Sequence, residues 1–165
     1  MIEKGRLHFF CGKMAAGKTT KSLEVMNSEN AILISEDDWL GHLFKDEIKV
    51  FDDYIKYSKR LKPLLLDHIK NIIGSGVSVV MDFPANTIRQ RLWFKELIGN
   101  NKISHQLHYL EVSDEICLKQ LAKRSEGRKG EVFTSKEEFH TVNSYFQAPA
   151  ESEGFNIKIY KRENV

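Results

Sequence analysis

Cysteine is scarce in this sequence, and long apolar runs are missing from it. The 165 residues include two cysteines, Cys11 and Cys117, which form no C-x-x-C pair. This spacing excludes the common zinc and redox sites, and one pair far apart in the sequence provides no disulfide framework. No apolar run approaches the roughly 18 residues that a membrane-spanning helix needs, and the N-terminus lacks a charged-then-apolar signal segment. We therefore expect a cytoplasmic protein that has no membrane as a partner.

An excess of charge of one sign is missing as well. The formal net charge is +2, with 29% charged and 41% hydrophobic residues, a balance typical of a globular protein. The densest basic run, KYSKRLK at residues 56–62, is typical of a solvated helix face. Charge alone therefore does not favour nucleic acid as a partner. The length predicts one domain over residues 1–165.

Apolar runs of strand length alternate with amphipathic stretches, which predicts an α/β fold with a mostly parallel sheet. The segment VSVVMD, residues 77–82, is apolar enough to be buried on both faces, as a central parallel strand should be. The five predicted strands cover residues 7–11, 31–35, 77–82, 106–112 and 155–160.

Helix signals fall between these predicted strands. One helix is expected after Gly17, and another over residues 58–73, with Pro63 in its first turn because proline is tolerated there. Capping-box spacing predicts two further helices, with Thr87 and Ser135 as their N-caps.

The segment GKMAAGKT, residues 12–19, matches the pattern G-x-x-x-x-G-K-[ST]. Gly12 and Gly17 let the backbone turn so that successive N–H groups point into one concavity, where phosphate oxygens bind. Lys18 is placed to reach the β- and γ-phosphates, and the Thr19 hydroxyl is placed to bind Mg²⁺. The motif follows a predicted strand and precedes a predicted helix, which is the context of a nucleotide site. The predicted nucleotide-binding residues are Gly12, Lys13, Met14, Ala15, Ala16, Gly17, Lys18, Thr19 and Thr20.

Several classes of nucleotide-binding protein share this motif. A GTPase would also need an Asn-Lys-x-Asp element, and the Asn-Lys at Asn101 is followed by Ile and Ser. A ring-forming motor ATPase usually needs a second helical domain, and only KRENV follows the last predicted strand. A non-catalytic nucleotide sensor and a phosphotransferase remain. The phosphotransferase requires an acid near the acceptor, an acid near the metal and mobile cations over the phosphates.

Acidic residues follow two of the predicted strands. Glu36, Asp37 and Asp38 stand at the carboxyl end of the second strand, the rim where open α/β sheets bind ligands. A carboxylate there can accept the proton of an attacking hydroxyl, although Asp37 or Asp38 could instead cap a helix that starts at Trp39. Asp82 ends the third strand and could hold a water molecule bound to Mg²⁺, or it could form a turn.

Arginines are the predicted mobile cations. The segment KRSEGRKGEVFT, residues 123–134, is rich in glycine and charge and has no apolar periodicity, which predicts a mobile loop. Arg124 and Arg128 could close over the transferring group, because the planar guanidinium matches its oxygens. They could also be solvent-exposed residues at a helix end. Arg89 and Arg91 follow Asp82 on a predicted helix and could contact acceptor or phosphate, or they could be surface charges.

Four segments, FFCGKMAAGKTT, LISEDDWL, VVMDFPANTIRQR and LAKRSEGR, together resemble a known clade. It comprises the small P-loop kinases that include polynucleotide 5′-kinases, zeta toxins and chloramphenicol phosphotransferase, often described as AAA-family ATP-binding proteins. The resemblance implies a P-loop NTPase fold with a five-stranded parallel sheet, helices on both faces and a lid of about residues 124–134 between the fourth and fifth strands. It also implies ATP and Mg²⁺ as cofactors.

The resemblance also implies roles for single residues. Asp37 matches the base of the polynucleotide kinases, and Asp82 matches the metal-associated acid of the third strand. Arg124 and Arg128 match arginines of the kinase lid. Leu40 stands where the polynucleotide kinases have a substrate-binding arginine.

These observations predict an ATP-dependent phosphotransferase that moves the γ-phosphate of ATP to a hydroxyl of a small-molecule acceptor. The alternatives are a polynucleotide 5′-hydroxyl kinase and a non-catalytic ATP-binding regulatory protein or simple ATPase. We expect the acceptor to lie between residues 39–56 and the helix that follows Asp82. The expected acceptor-site residues are Asp38, Trp39, Arg89 and Arg91, with Phe44, Phe51 and Trp93 as further pocket aromatics.

Overall fold

The computed structural model describes residues 4–100, 102–126 and 135–163. Their strands form one parallel sheet with the order β2-β3-β1-β4-β5. The strands are β1 (Leu7–Gly12), β2 (Ile32–Ser35), β3 (Val79–Pro84), β4 (His105–Val112) and β5 (Ile157–Arg162). The predicted α/β class and five-stranded parallel sheet are confirmed, and each predicted strand end lies within two residues of the observed one.

Helices cover both faces of this sheet, as the resemblance implied. The α-helices are α1 (Lys18–Glu29), α2 (Glu36–Leu43), α3 (Phe51–Gly74), α4 (Ile88–Ile98), α5 (Asp114–Glu126) and α6 (Lys136–Asn143). Helices α2, α3 and α4 pack in one apolar cluster, and α1, α5 and α6 pack in another. None of the helices in the described ranges is both long and apolar enough to cross a membrane.

Strand β1 separates the two apolar clusters because its side chains alternate between the faces. Phe9 and Cys11 belong to the α3–α4 cluster, and Phe10 belongs to the α1–α5 cluster. The Phe9 ring stacks on Phe94 of α4 with 4.3 Å between the ring centroids. All six residues of β1 are buried, so the turn that follows the strand starts from a rigid position.

The predicted start of the third helix, near residue 58, is wrong. Helix α3 begins at Phe51, and Asp53 accepts hydrogen bonds from the backbone N–H groups of Lys49 and Val50 at 3.1 and 3.2 Å. Pro63 therefore lies in the helix interior, where it removes one hydrogen bond to Lys59. Both Pro63 and Lys59 are exposed, and the opposite face of the helix packs in the core, so the helix continues past this defect.

The predicted capping boxes are confirmed, and the first residues of the predicted loop before α6 are helical instead. Thr87 caps α4 by accepting from the backbone N–H of Gln90, and Ser135 caps α6 in the same way. Residues 123–126, which we predicted to be loop, form the last turn of α5. The rest of the predicted lid, residues 127–134 with Arg128, lies outside the described residues.

Candidate active site

Residues 12–19, called the P-loop below, connect the end of β1 to the start of α1. Ala15 has a φ of 59° and Gly17 a φ of 98°, and such left-handed residues within a turn bring successive N–H groups into one anion-binding concavity. No side chain caps the N-terminus of α1, so the helix leaves its first amides available to an anion. A Cβ atom at Gly12 would lie 3.1 Å from the Leu110 carbonyl oxygen, which explains glycine there.

Two asparagines that the sequence analysis missed fix the start of the P-loop. The Gly12 N–H donates to Asn86 Oδ1 at 3.0 Å, and the Met14 N–H donates to Asn143 Oδ1 at 3.0 Å. Asn86 follows β3 and Asn143 ends α6, so two separate elements hold the turn. Lys13 adds a third attachment through its 2.5 Å ion pair with Asp114 of α5.

Substitution of Asn86 with Ala should destabilise the fold. The buried Gly12 N–H would lose its acceptor, and an unpaired buried donor costs about 1–3 kcal/mol. Urea denaturation followed by circular dichroism would measure this loss in the free energy of unfolding. Asn27→Ala, at an exposed position of α1, is the matched control and should lose nothing. Equal stability of the two variants would show that the Asn86 bond contributes no stability.

Lys18 lies within the P-loop and contacts its backbone. Its Nζ atom donates to the Gly12 carbonyl at 2.6 Å and to the Lys13 carbonyl at 2.8 Å. Burial lowers the pKa of this ammonium group to about 8, although the nearby Asp82 carboxylate acts in the opposite direction. A cation therefore occupies the concavity at neutral pH.

The two predicted metal-binding residues lie together. The Thr19 hydroxyl donates to Asp82 Oδ2 at 2.9 Å, because α1 begins beside the carboxyl end of β3. Burial raises the pKa of Asp82, the negative charges of Asp37 and Asp38 raise it further, and the Thr19 hydrogen bond and Lys18 oppose this shift. The Asp37 and Asp38 side chains are thus near enough to Asp82 for their charges to affect it.

The three acids after β2 have different environments. Helix α2 begins at Glu36 rather than at Trp39, and Ser35 is its N-cap, so the alternative that Asp37 or Asp38 caps the helix is wrong. Glu36 is 1% exposed and accepts hydrogen bonds from the Tyr54 hydroxyl, at 2.7 Å, and from the Ser58 hydroxyl. Asp37 and Asp38 are exposed at the rim of the sheet, where a ligand can reach them.

Tyr54 is a further residue that the sequence analysis missed. Its hydroxyl lies 3.0 Å from Asp37 Oδ1 as well as 2.7 Å from Glu36 Oε2. Burial raises the pKa of Tyr54 strongly, and the two carboxylates raise it further. The hydroxyl group therefore keeps its proton over the whole neutral range. The sequence contains no local signal for this contact, since Tyr54 belongs to another helix.

Arg91 does not have the predicted acceptor- or phosphate-binding position. Its side chain is 0% exposed, and its guanidinium forms a bidentate pair with Glu153 at 2.7 and 3.0 Å. The Nη1 atom donates to the carbonyls of Ala85 and Gln147 at 2.9 and 2.8 Å. This arginine is a structural residue, because its donors are engaged inside the protein.

Arg89 and Arg124, the other predicted site arginines among the described residues, are accessible to solvent. Arg89 is exposed in the first turn of α4, and its side chain forms no hydrogen bond or ion pair within the described ranges. Arg124 is exposed in the last turn of α5, and its charge slightly lowers the pKa of Lys18. Both side chains are therefore free to bind a ligand.

Of the four aromatic residues expected around the acceptor, Trp39 lines a groove between α2 and α3. Phe44 stacks on Tyr57 and Trp93 stacks on Phe83, with centroid distances of 4.1 and 5.9 Å, so both rings pack against the core. Phe51 is 55% exposed at the start of α3. The groove has a volume of about 630 Å³ and is lined by Asp38, Trp39, His42, Leu43, Leu61 and Leu64.

The sheet order and the P-loop define the class: this is a P-loop protein with the fold of the P-loop kinases. A model of the AAA domain family matches residues 7–149, and the chain belongs to that family.

Solved structures share this fold. A candidate kinase from Chloroflexus aurantiacus is 17% identical, with a TM-score of 0.71 over 97% of this chain and 86% of its own. The Mycobacterium tuberculosis APS kinase, solved with AMPPNP and APS, is 14% identical, with a TM-score of 0.63 over 97% and 91%. A chain of the Pnkp1/Rnl/Hen1 RNA repair complex is 15% identical, with a TM-score of 0.63 over 89% and 48%. No curated protein matches the sequence.

Proposed function

We propose that this protein is an ATP-dependent phosphotransferase that moves the γ-phosphate of ATP to a hydroxyl group of a small-molecule acceptor. The main support is the 2.9 Å bond between Thr19 and Asp82 beside the Lys18 ammonium. This arrangement joins an anion-binding turn to a pair of hard oxygen ligands. Phosphoryl transfer depends chiefly on such positioning and electrostatic stabilisation.

The residues of the site fit ATP and Mg²⁺. The left-handed Ala15 and Gly17 form the concavity for phosphate oxygens, and Lys18 neutralises their charge. Thr19 and Asp82 offer hydroxyl and carboxylate oxygens, the ligand types that Mg²⁺ prefers. The raised pKa of Asp82 reflects burial near other carboxylates, an environment that a divalent cation would stabilise. When bound, Mg²⁺ would neutralise charge that develops on the phosphates.

Asp37 is the proposed base. Glu36 is buried with both carboxylate oxygens engaged, which leaves Asp37 and Asp38 as the accessible acids of α2. Asp37 is held by Tyr54, whereas Asp38 lines the groove beside Trp39. We therefore assign proton abstraction to Asp37 and acceptor contact to Asp38 and Trp39.

Cations complete the proposed site. Arg124 stands in the last turn of α5, and we propose that it and Arg128 contact the transferring phosphate. Arg89 is exposed near the carboxyl end of β3 and is proposed to contact the acceptor.

Nucleotide binding should depend on pH through Lys18. The pKa of this ammonium is about 8 in the protein without nucleotide, and a bound triphosphate should raise it. The affinity for ATP should therefore be constant below about pH 8 and fall above it. The expected loss approaches about tenfold per pH unit until the pKa of the complex is reached. Calorimetry between about pH 7 and about pH 9.5, in buffers of different ionisation enthalpy, would also detect proton uptake on binding. Equal affinity at both ends of this range would contradict the linkage.

A polynucleotide 5′-hydroxyl kinase is the second candidate, favoured by the likeness to a chain of the RNA repair complex. Leu40 occupies the arginine position that the resemblance implied for polynucleotide kinases, and its side chain is 1% exposed. It therefore packs in the core and cannot contact a substrate. Binding to oligonucleotide ends would weaken steeply with salt, whereas binding of an uncharged alcohol would not.

A transfer assay with γ-labelled ATP would test the proposal. The protein would be incubated with Mg²⁺, labelled ATP and either hydroxyl compounds or oligonucleotide ends. A labelled small-molecule product is the expected result, and a labelled oligonucleotide would favour the second candidate. Release of labelled phosphate without a product would indicate a simple ATPase, and nucleotide binding without turnover would indicate a regulatory protein.

A further inference from the structure

The Asp37 carboxylate has one hydrogen-bond partner within the described ranges, the Tyr54 hydroxyl at 3.0 Å. Its carboxylate is exposed in the first turn of α2, where a free aspartate side chain can adopt several rotamers. A base must stay within hydrogen-bond reach of the proton that it removes. The orientation of Asp37 therefore depends on Tyr54.

Tyr54 is itself held from the interior. Its hydroxyl lies 2.7 Å from Glu36 Oε2, and the Ser58 hydroxyl donates to the other oxygen of Glu36. Asp37, Tyr54, Glu36 and Ser58 thus form a continuous row, called the Tyr54 chain below, from the exposed rim to the buried side of α3. Both carboxylate oxygens of the buried Glu36 are engaged, so Glu36 holds the Tyr54 hydroxyl at a fixed position beside Asp37.

While Glu36 and Asp37 are both ionised, the Tyr54 chain has two hydroxyl protons for three contacts. Ser58 and Tyr54 each supply one hydroxyl proton, and Tyr54 faces two carboxylates. Its single proton cannot bond fully to both Glu36 and Asp37. If Asp37 becomes protonated, it can donate to the Tyr54 oxygen while Tyr54 donates to Glu36. Every contact of the Tyr54 chain then has its own proton.

We propose that Tyr54 is a positioning residue for Asp37, which it orients before transfer and whose protonated form it stabilises afterwards. This inference rests on the proposed function. In the step, the acceptor O–H bond breaks and its proton goes to an Asp37 oxygen, while the acceptor oxygen bonds to the γ-phosphorus. The bond from the γ-phosphorus to the β–γ bridging oxygen breaks, and its electron pair leaves with ADP. Tyr54 keeps its own proton and continues to donate to Glu36.

Tyr54→Phe tests the role, and Tyr57→Phe is its matched control. Tyr57 lies one turn further along α3 and donates its hydroxyl to Glu47, so both variants remove a phenolic hydrogen bond to a carboxylate. The assay would contain Mg²⁺, ATP and the acceptor that the transfer assay selects, or water where only hydrolysis occurs. Tyr54→Phe should lower kcat by about 10- to 100-fold, which corresponds to the loss of one charge-assisted hydrogen bond. The KM for ATP should stay unchanged, and Tyr57→Phe should keep the wild-type kcat. Equal kcat values for wild type and Tyr54→Phe would overturn the role.

Carbon-13 NMR of the full chain with labelled tyrosine Cζ atoms tests the contact without any turnover. The Tyr54 signal, assigned by its loss in Tyr54→Phe, should move in Asp37→Asn while the Tyr57 signal stays in place. An unchanged Tyr54 Cζ chemical shift in Asp37→Asn would contradict the contact. If the contact is present but wild type transfers phosphate to neither water nor any acceptor, the proposed function fails and the role of Tyr54 fails with it. Transfer at the wild-type rate in Tyr54→Phe overturns the Tyr54 role alone.

Discussion

Asp37→Asn is expected to cut phosphoryl transfer by about 10²–10⁴-fold, the usual contribution of a positioned general base. The amide keeps the size of the side chain and can still contact the Tyr54 hydroxyl, but it cannot take a proton from the acceptor. The P-loop, Thr19 and Asp82 remain intact, so the affinity for ATP should change little. Transfer of labelled phosphate under single-turnover conditions, together with calorimetry of ATP binding, would separate the two effects.

The control for this prediction is Asp46→Asn. Asp46 is exposed between α2 and α3 and forms no hydrogen bond within the described part of the chain, so its neutralisation should leave transfer unchanged. Asp38→Asn gives the informative comparison, because Asp38 lines the groove and should alter the KM for the acceptor more than kcat. Full transfer in Asp37→Asn with a loss in Asp38→Asn would move the base to Asp38.

The parts of the site that the sequence predicted are those with local signals. The P-loop pattern lies within eight consecutive residues, and it predicted the glycine-containing turn that connects β1 to α1. The nearness of Thr19 and Asp82 followed from two parallel strands that end at the same edge of the sheet. The fold class followed in the same way from the alternation of apolar runs with amphipathic stretches.

The parts that the sequence did not predict depend on contacts between distant residues. Asn86 and Asn143 bind P-loop amides that are 74 and 129 residues away in the chain, and no local pattern marks either residue. Tyr54 lies in the part of α3 that the sequence did not predict, because Pro63 suggested a later helix start. Tertiary packing of the buried face of α3 outweighed that local signal.

The prediction for Arg91 failed for a related reason. The residues around it resemble the exposed first turns of a helix, and Arg89 does have that position. The partner that explains the burial of Arg91 is Glu153, 62 residues further along the chain. A buried charge requires such a partner, but the sequence does not show which acid supplies it.

Arg91→Met is expected to lower the free energy of unfolding by about 3–5 kcal/mol, because removal of one partner from a buried ion pair leaves the other charge uncompensated. Burial alone would raise the pKa of Glu153, but the hydrogen bonds from Arg91 and the Ala150 N–H hold it below its usual value. The variant also removes donors from the Ala85 and Gln147 carbonyls. Urea denaturation followed by circular dichroism would measure the loss.

Arg89→Met is the matched control, because it removes an exposed arginine from the same turn of α4 and should change stability by less than about 0.5 kcal/mol. The lowered pKa of Glu153 gives the effect a pH signature. The stabilisation is present above the pKa of the unfolded chain and is lost as the pH falls through the folded value, so the difference between wild type and Arg91→Met should shrink in acid. An Arg91→Met protein as stable as Arg89→Met at neutral pH would show that the buried pair does not stabilise the fold.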